Sequence, residues 1–259
     1  MHPLLFKIGP IKIYTYGFFI ALAFISGIFW SAREAKRLGE NPERIMDLGF
    51  LVTLSAIIGA RILFILLNLP EYLEHPLNSL KIWEGGLVFH GGLIASILAG
   101  LFYLKRHHLR TWKYADIIAP ALALGQGIGR IGCLMAGCCY GKETSLPWGI
   151  CFTDPNSLAT LHIPLHPTQI YESICTLLIF AALLRLRKRK NFEGQVFWTY
   201  IVLYSIVRFT IDFFRGDEVR TFFCNTLSLT QVLGIVLFLS AIYMLWTLRK
   251  NKSYQTTRH

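Results

Sequence analysis

Six ionisable side chains lie within apolar stretches of this 259-residue chain: Arg61, His90, Arg130, Glu172, Arg208 and Asp212. A charge in such surroundings is costly, and it usually marks a functional site. The guanidinium groups of the three arginines are planar forks that bind a phosphate or a carboxylate through paired hydrogen bonds. These residues therefore indicate a polar site that holds an anion inside an otherwise apolar protein.

Arg130 is the strongest candidate, because "GQGIGRIG" surrounds it with glycines that are expected to leave room for an anion. Arg208 and Asp212 are four residues apart, so they share one face of a helix and are expected to pair. For this pair the alternative is a purely structural role in helix packing. Arg61 has a similar alternative, in which it bonds to carbonyl groups at helix ends.

His90 is the candidate base, because imidazole titrates near neutral pH. It lies in "GGLVFHGGL", whose glycines are expected to let a substrate approach the backbone closely. The alternative for His90 is a bridge between two helices. Tyr16 stands at the outer end of the first apolar stretch, where its hydroxyl can bind a substrate while its ring packs against lipid. Its alternative is membership of the interfacial aromatic belt.

The composition indicates an all-α integral membrane protein, predicted to form a single domain over residues 1–259. Hydrophobic residues make up 54% of the chain and charged residues 16%, and the mean hydropathy is +0.47. A soluble domain carries about a quarter charged residues. About seven stretches are long enough to cross a bilayer core. They are residues 14–30, 45–67, 86–104, 114–135, 168–186, 194–213 and 229–248.

The basic residues predict how these helices are oriented. They cluster after the first, third, fifth and last stretches, as in the run "RLRKRK". The positive-inside rule then places the N-terminus outside and the C-terminus in the cytoplasm. With this orientation all six ionisable residues fall in the outer half of the bilayer, as one cavity would require. The net charge of +11 is thus a topology signal and does not predict nucleic-acid binding.

Five of the six cysteines are predicted at or beyond the outer face: Cys133, Cys138, Cys139, Cys151 and Cys224. Cys175 lies within a span and is expected to be a small buried apolar residue. A disulfide from Cys138 or Cys139 to Cys151 or Cys224 is expected to tighten an ordered outer loop over residues 136–167. Because no C-x-x-C spacing occurs, no metal site is predicted. No cofactor is predicted either.

Four motifs occur in an order that resembles one known family. "VFHGG", "GRIG…G…YG", "HPTQIYE" and "YSIVRFTIDFFR" are similar to the motifs of prolipoprotein diacylglyceryl transferases. The resemblance implies a seven-span bacterial enzyme that transfers the sn-1,2-diacylglyceryl group of phosphatidylglycerol to the lipobox cysteine of a preprolipoprotein signal peptide. A thioether forms, and glycerol 1-phosphate is released. The implied partners are these two substrates and membrane lipids.

The resemblance also implies roles for residues at matching positions. The catalytic candidates are His90, Arg130, Arg208 and Asp212. Those for binding phosphatidylglycerol are Arg130, Arg208, Tyr16, Tyr204 and Gly141, to which Arg61 is added as a third arginine on its charge alone. The chain departs from the family pattern at three positions, since Cys133 replaces an Asn, and Cys138 and Asp212 each replace a Glu. Roles that depend on those replaced side chains do not transfer to this chain.

Three other functions stay open at this point. A transporter of an anionic solute would also need arginines in a membrane cavity, although it should have broken helices or an inverted repeat. A non-catalytic relative, or one with altered specificity, would explain the replaced Asn and Glu. A thiol–disulfide oxidoreductase would use the adjacent Cys138 and Cys139.

Overall fold

The computed structural model describes residues 2–8, 11–74, 76–81, 85–216, 220–222 and 226–256. The chain divides into two compact units, each described here by itself. One comprises Met1–Gly27 and Ala115–His259, and the other comprises Ile28–Tyr114. The single domain inferred from the sequence stays a prediction.

Helices dominate both units. Within the described ranges there are eight: α1 (Thr15–Arg37), α2 (Pro42–Leu67), α3 (Leu69–Glu74), α4 (Phe89–Arg106), α5 (Thr111–Ala136), α6 (Thr168–Leu186), α7 (Gln195–Asp212) and α8 (Leu229–Thr256). All except the short α3 coincide with predicted stretches. By length and composition, α1, α2, α5, α6 and residues 229–250 of α8 are able to cross a membrane. The all-α membrane class is therefore confirmed, whereas the count of seven spans stays a prediction.

Short antiparallel ribbons lie at the helix ends. Strand β1 (Leu4–Ile8) pairs with β2 (Ile11–Tyr14), β3 (Ile150–Cys151) with β4 (Pro164–Leu165), and β5 (Arg220–Phe222) with β6 (Leu227–Ser228). The middle ribbon belongs to the connection between α5 and α6, which has a small core of its own. Its buried members are Phe152, Ala159 and Leu165. This core keeps the connection ordered, in agreement with the expectation from its turn residues.

In the unit Ile28–Tyr114, glycines let helices α2 and α4 touch backbone to backbone. A Cβ atom on Gly91 would lie 2.5 Å from Leu63 Cβ, and one on Gly92 would lie 2.8 Å from the carbonyl oxygen of Ala56. Helix α2 thus fills the space beside these glycines. The expectation that the glycines beside His90 admit a substrate was therefore wrong for Gly91 and Gly92, and it stays a prediction for Gly85.

The glycines near Arg130 have the same use in the other unit. A Cβ atom on Gly132 would lie 2.9 Å from Phe19 Cβ of α1, and one on Gly127 would lie 2.9 Å from Leu177 Cγ of α6. The expectation of free room for an anion at these two positions was therefore wrong. The glycines instead bring two neighbouring helices close to the turn of α5 that carries Arg130.

At the end of α5 opposite to Arg130, a buried carboxylate holds the start of α7. Asp116 on α5 accepts hydrogen bonds from Lys190 Nζ at 3.0 Å, Gly194 N at 2.9 Å and Phe197 N at 3.0 Å. The last two are backbone groups at the start of α7, which would otherwise lack acceptors. Between the two ends, α5, α6 and α7 share an apolar core formed by Ala119, Ala123, Ile179, Leu183, Val196 and Tyr200.

The contact between α2 and α4 predicts opposite effects for two glycine substitutions on α4. We expect Gly91→Ala to destabilise the protein by about 1–3 kcal/mol, because its methyl group overlaps α2. Gly100→Ala is the matched control, since its nearest neighbour, Val52 Cγ2, would lie at 3.7 Å. Alanine favours the helix there and should stabilise by up to about 1 kcal/mol. Thermal unfolding in detergent measures both effects, and equal shifts would contradict the close packing.

Candidate active site

The centre of the site is an ion pair between α5 and α6. Arg130 Nη2 lies 2.8 Å from Glu172 Oε1. The Glu172 side chain is 3% exposed and that of Arg130 is 19% exposed, so the arginine is the partner that an entering molecule can reach. A buried charge is tolerated when an opposite charge and further hydrogen bonds accompany it. The pair therefore keeps a guanidinium group in place in apolar surroundings.

Helix α7 adds two tyrosines to this pair. The Tyr204 hydroxyl donates to Glu172 Oε1 at 3.3 Å, so the carboxylate holds both the arginine and the phenol. The ring of Tyr204 stacks on that of Tyr200, with centroids 5.9 Å apart and planes inclined by 17°. The Tyr200 hydroxyl in turn donates to Gln126 Oε1 at 2.9 Å. Two layers of polar contacts thus connect α5 with α7.

The same face of α7 continues to Arg208 and Asp212. Arg208 Nη2 lies 3.7 Å from Asp212 Oδ1, so the pair expected from the spacing does form. Asp212 is fully buried and also accepts hydrogen bonds from Ser228 Oγ at 2.7 Å and Thr230 Oγ1 at 2.8 Å. It thereby ties the end of α7 to the start of α8.

The start of α8 is a capping box. Gln231 N donates to Ser228 Oγ at 3.1 Å, and Ser228 N donates to Gln231 Oε1 at 3.0 Å. Such reciprocal bonds satisfy backbone donors at a helix start. Because Asp212 bonds to the hydroxyl of this cap, it connects Arg208 with the start of α8.

Three cysteines gather beside Arg130. The Sγ atoms of Cys133, Cys138 and Cys139 all lie within 4.8 Å of one another. Arg130 Nη1 is 4.0 Å from Cys133 Sγ, which makes the cluster a direct neighbour of the ion pair. Hydrogen bonds from Cys133 and Cys138 lower the pKa of the Cys139 thiol, against the opposing effect of burial, and the charges of Arg130 and Arg215 lower it further.

Backbone contacts hold the cysteine turn in place. Gly137 (φ 76°) and Cys139 (φ 60°) both adopt left-handed conformations, which are uncommon for a residue other than glycine. The carbonyl oxygen of Cys139 accepts from Thr168 Oγ1 at 2.7 Å, and that of Cys138 accepts from Gln169 Nε2 at 2.8 Å. Both donors are buried at the start of α6. Helix α6 therefore holds the turn in addition to the turn's own backbone conformation.

The thiols of Cys133, Cys138, Cys139, Cys151 and Cys175 are all free. The predicted disulfide from Cys138 or Cys139 to Cys151 was wrong, because the first two face Cys133 while Cys151 is exposed on β3. Cys224, the other predicted partner, lies outside the described residues.

Gly141 lies where three segments of the chain meet. A Cβ atom there would lie 2.6 Å from the carbonyl oxygen of His166 and 2.8 Å from that of Phe214. Its own N–H donates to His166 O at 3.0 Å. The predicted contact of Gly141 with phosphatidylglycerol stays untested, and its visible role is to let these segments pack together.

Tyr16 belongs to the same unit as Arg130. It is 42% exposed in the first turn of α1, and a Cβ atom on Gly132 would lie 3.4 Å from Tyr16 Cδ2. The ring therefore leans on α5 close to the cysteines and leaves much of its surface accessible.

Arg61 and His90 belong to the other unit. The Arg61 guanidinium is buried and donates to the backbone carbonyls of Asn78, Ser79, Gly85 and Gly86 at 2.6–3.2 Å. Four of its five N–H groups are thus used, which favours the structural alternative over anion binding. His90 is exposed in the first turn of α4, with its ring against that of Phe89.

The sequence alone does not indicate which residues pair with Arg130 and Tyr204. Glu172 was recognised as a carboxylate within the membrane but was given no role, and Gln126 and Tyr200 were not considered. One signal was available for these two residues. Gln126 precedes Arg130, and Tyr200 precedes Tyr204, by one helical turn, so each shares a face with a predicted site residue.

This fold and site define a helical membrane protein with an arginine–glutamate ion pair between its helices. The family model for prolipoprotein diacylglyceryl transferase matches residues 3–247. The chain belongs to this family.

Three relatives, each named phosphatidylglycerol–prolipoprotein diacylglyceryl transferase, illustrate the similarity. The protein of Clostridium tetani is 34% identical over 94% of this chain and 96% of its own length. That of Geobacter sulfurreducens is 35% identical over 93% of each chain. That of Bacillus velezensis is 33% identical over 100% of this chain and 96% of its own.

The contacts of Arg61 predict a structural role. We expect Arg61→Lys to destabilise the protein by about 1–3 kcal/mol, because lysine has three donors and leaves a carbonyl unpaired. Arg33→Lys is the control. Arg33 lies over the Phe29 ring at 5.2 Å, and a lysine ammonium can make the same kind of contact. Thermal unfolding measures the difference. An Arg61→Lys variant of normal stability that binds phosphatidylglycerol weakly would instead support the anion-binding prediction.

Asp212→Asn tests the connection between α7 and α8. We expect a loss of about 3–5 kcal/mol in stability, because Arg208 and the cap of α8 lose a buried carboxylate. Thr210→Val is the control, since Thr210 is exposed on the same helix and its hydroxyl donates to Ile206 O, one turn earlier. Unfolding of the purified protein reports the change, and equal stability of the two variants would argue against a positioning role.

Proposed function

We propose that this chain transfers the sn-1,2-diacylglyceryl group of phosphatidylglycerol to the lipobox cysteine of preprolipoproteins. The product is a thioether, and glycerol 1-phosphate leaves. The observation that carries the proposal is the partly exposed side chain of Arg130, whose guanidinium is held at 2.8 Å by the buried Glu172. Membership of the family and the names of the relatives support this choice of reaction.

Arg130 and Arg208 are the proposed ligands of the lipid phosphate. Each is fixed by a carboxylate, Arg130 by Glu172 and Arg208 by Asp212, so neither has to be ordered when the lipid binds. Donors that are oriented in advance stabilise the charge that develops on a leaving group. Tyr204, whose hydroxyl bonds to Glu172, and the exposed Tyr16 are proposed to orient the headgroup.

Besides the arginines and tyrosines that hold the headgroup, the chemical step needs a thiolate. The sulfur of the lipobox cysteine attacks C3 of the glyceryl group, and the C3–O bond breaks with its electron pair passing to the phosphate oxygen. Arg130 and Arg208 neutralise the growing charge on that phosphate. His90 as the base for the thiol proton stays a prediction from its motif. Asp212 acts by holding Arg208, and is therefore a positioning residue.

We further propose seven spans in the bacterial inner membrane, with the N-terminus outside and the site in the outer half. Seven helices of at least 18 residues, and basic clusters in alternate connections, support this topology. A preprolipoprotein signal peptide would then meet the site from the outer leaflet.

Arg130→Lys is the variant that tests the reaction. Lysine keeps the charge but lacks the fork that binds a phosphate through two hydrogen bonds. We expect the transfer rate to fall by about 10²–10³-fold, the size of effect seen when one preorganised donor is removed. Arg185→Lys is the matched control, since Arg185 is exposed in the last turn of α6.

The assay follows the lipobox peptide and the released product together. Purified protein is incubated with phosphatidylglycerol and the peptide, and the peptide mass and glycerol phosphate are both measured. A diacylglyceryl mass gain that Arg185→Lys keeps and Arg130→Lys loses is the expected result. Folded wild-type protein that modifies no peptide with several lipids would contradict the transferase function and favour a non-catalytic relative.

A further inference from the structure

The cysteine cluster has the composition and spacing of a metal site. Its three Sγ atoms lie within 4.8 Å of one another. A zinc–thiolate bond is about 2.3 Å long, so two thiolates on one tetrahedral ion stand roughly 3.8 Å apart. Small rotations of three side chains about their Cα–Cβ bonds cover this difference.

Hydrogen bonds from α5 and α6 hold the turn that carries these thiols. Helix α5 supplies Cys133 at its last turn, and Cys138 N donates back to Cys133 O at 3.1 Å. Two side chains of α6 also bind this turn, since Thr168 donates to the carbonyl oxygen of Cys139 and Gln169 donates to that of Cys138. Preorganised ligands lose little conformational entropy when an ion binds.

The charges around the cluster suit a bound cation with three thiolates. Three thiolates and a divalent ion leave a net charge of about −1, and Arg130 stands beside Cys133. Thiolate ligands select soft ions such as Zn²⁺ and Cu⁺ over Mg²⁺ or Ca²⁺. The described residues offer three ligands, which leaves a fourth position for a molecule from outside, as in catalytic zinc sites.

We propose that Cys133, Cys138 and Cys139 bind a soft metal ion of the Zn²⁺ or Cu⁺ class, and that its open position receives the thiol of the substrate peptide. The metal site stands on the cluster geometry alone. Its catalytic use rests on the proposed transferase function. It would place the attacking sulfur next to Arg130, which is the proposed phosphate ligand.

The bound ion supplies the thiolate that the reaction needs. When the peptide sulfur binds the ion, its proton leaves to a base or to water, because a coordinated thiol is deprotonated. The sulfur then forms its bond to C3 of the glyceryl group, and the C3–O electron pair passes to the phosphate. The neutral thioether binds a cation more weakly than a thiolate does, so the product is released. No atom changes oxidation state.

Cobalt binding tests the site without reference to activity. The full-length protein in phosphatidylcholine nanodiscs is reduced, stripped with a chelator and titrated with Co²⁺. We expect one equivalent to produce sulfur-to-cobalt charge-transfer absorption that Zn²⁺ abolishes. The double variant Cys138→Ser/Cys139→Ser should lose this absorption, whereas Cys151→Ser/Cys175→Ser should keep it, since neither sulfur belongs to the cluster. Elemental analysis of the protein as purified distinguishes zinc from copper.

Transfer to a lipobox peptide tests the catalytic use. We expect metal removal to slow transfer on the order of 100-fold, comparable to the loss of a proton-transfer group, and one equivalent of Zn²⁺ or Cu⁺ to restore it. The Cys138→Ser/Cys139→Ser variant should be slow with or without added metal. Circular dichroism and thermal unfolding establish that this variant is folded.

Each outcome separates the metal site from the transferase function. Active, reduced protein without cobalt–thiolate absorption would overturn the metal site and leave the function standing. Metal binding with transfer unchanged by metal removal would overturn the catalytic use. Metal binding in a protein that modifies no peptide would support the site while contradicting the proposed function.

Discussion

A guanidinium group inside an apolar helix bundle needs an opposite charge at short range, and Glu172 supplies it to Arg130 at 2.8 Å. This requirement constrains the helices that carry the pair. Helices α5 and α6 have to approach closely at that level, and Gly127 permits this because α6 fills the position of its missing side chain. On the other side of α5, Gly132 does the same for α1. Gly127 and Gly132 thus allow α6 and α1 to pack closely against the part of α5 that carries Arg130.

The carboxylate also decides what α7 must present. Glu172 has a second hydrogen bond, from Tyr204, so the face of α7 that points to the pair is the one spaced by four residues from Tyr200 to Asp212. Asp212 at the end of this face connects to α8 through Ser228. Arg208 lies between these fixed points. Two arginines are therefore held by contacts that exist before any anion arrives, which is the condition for electrostatic catalysis in a site of low polarity.

The positions of the long helices were accessible from the sequence, because runs of apolar residues report burial in lipid directly. Arg130 and Arg208 were also accessible as candidates, since charged residues in such runs are few, and Tyr204 was accessible through its motif. Their partners were not. Which carboxylate reaches Arg130 depends on how α5 and α6 are rotated against each other, and the sequence of either helix is silent on that.

The glycines beside His90 and Arg130 were misread for the same reason. A glycine predicts that something approaches the backbone closely, but it does not indicate whether a ligand or a helix does so. For Gly91 and Gly132 the group that approaches the backbone is another helix of the protein. Arg61 is a related case, because its role follows from carbonyls 17 to 25 residues further along the chain.

The cysteine cluster could not be predicted from the spacing of cysteines in the sequence. The C-x-x-C rule describes two ligands on one local turn. Here Cys133 precedes the end of α5, and the left-handed conformations of Gly137 and Cys139 turn the chain back towards it. Cys133 and Cys138, which the resemblance implied to stand in place of an Asn and a Glu, thus meet in space and are joined by Cys139. Substitutions that converge on one point next to the central arginine change the chemistry of that point together, which is why we treat the three thiols as one site.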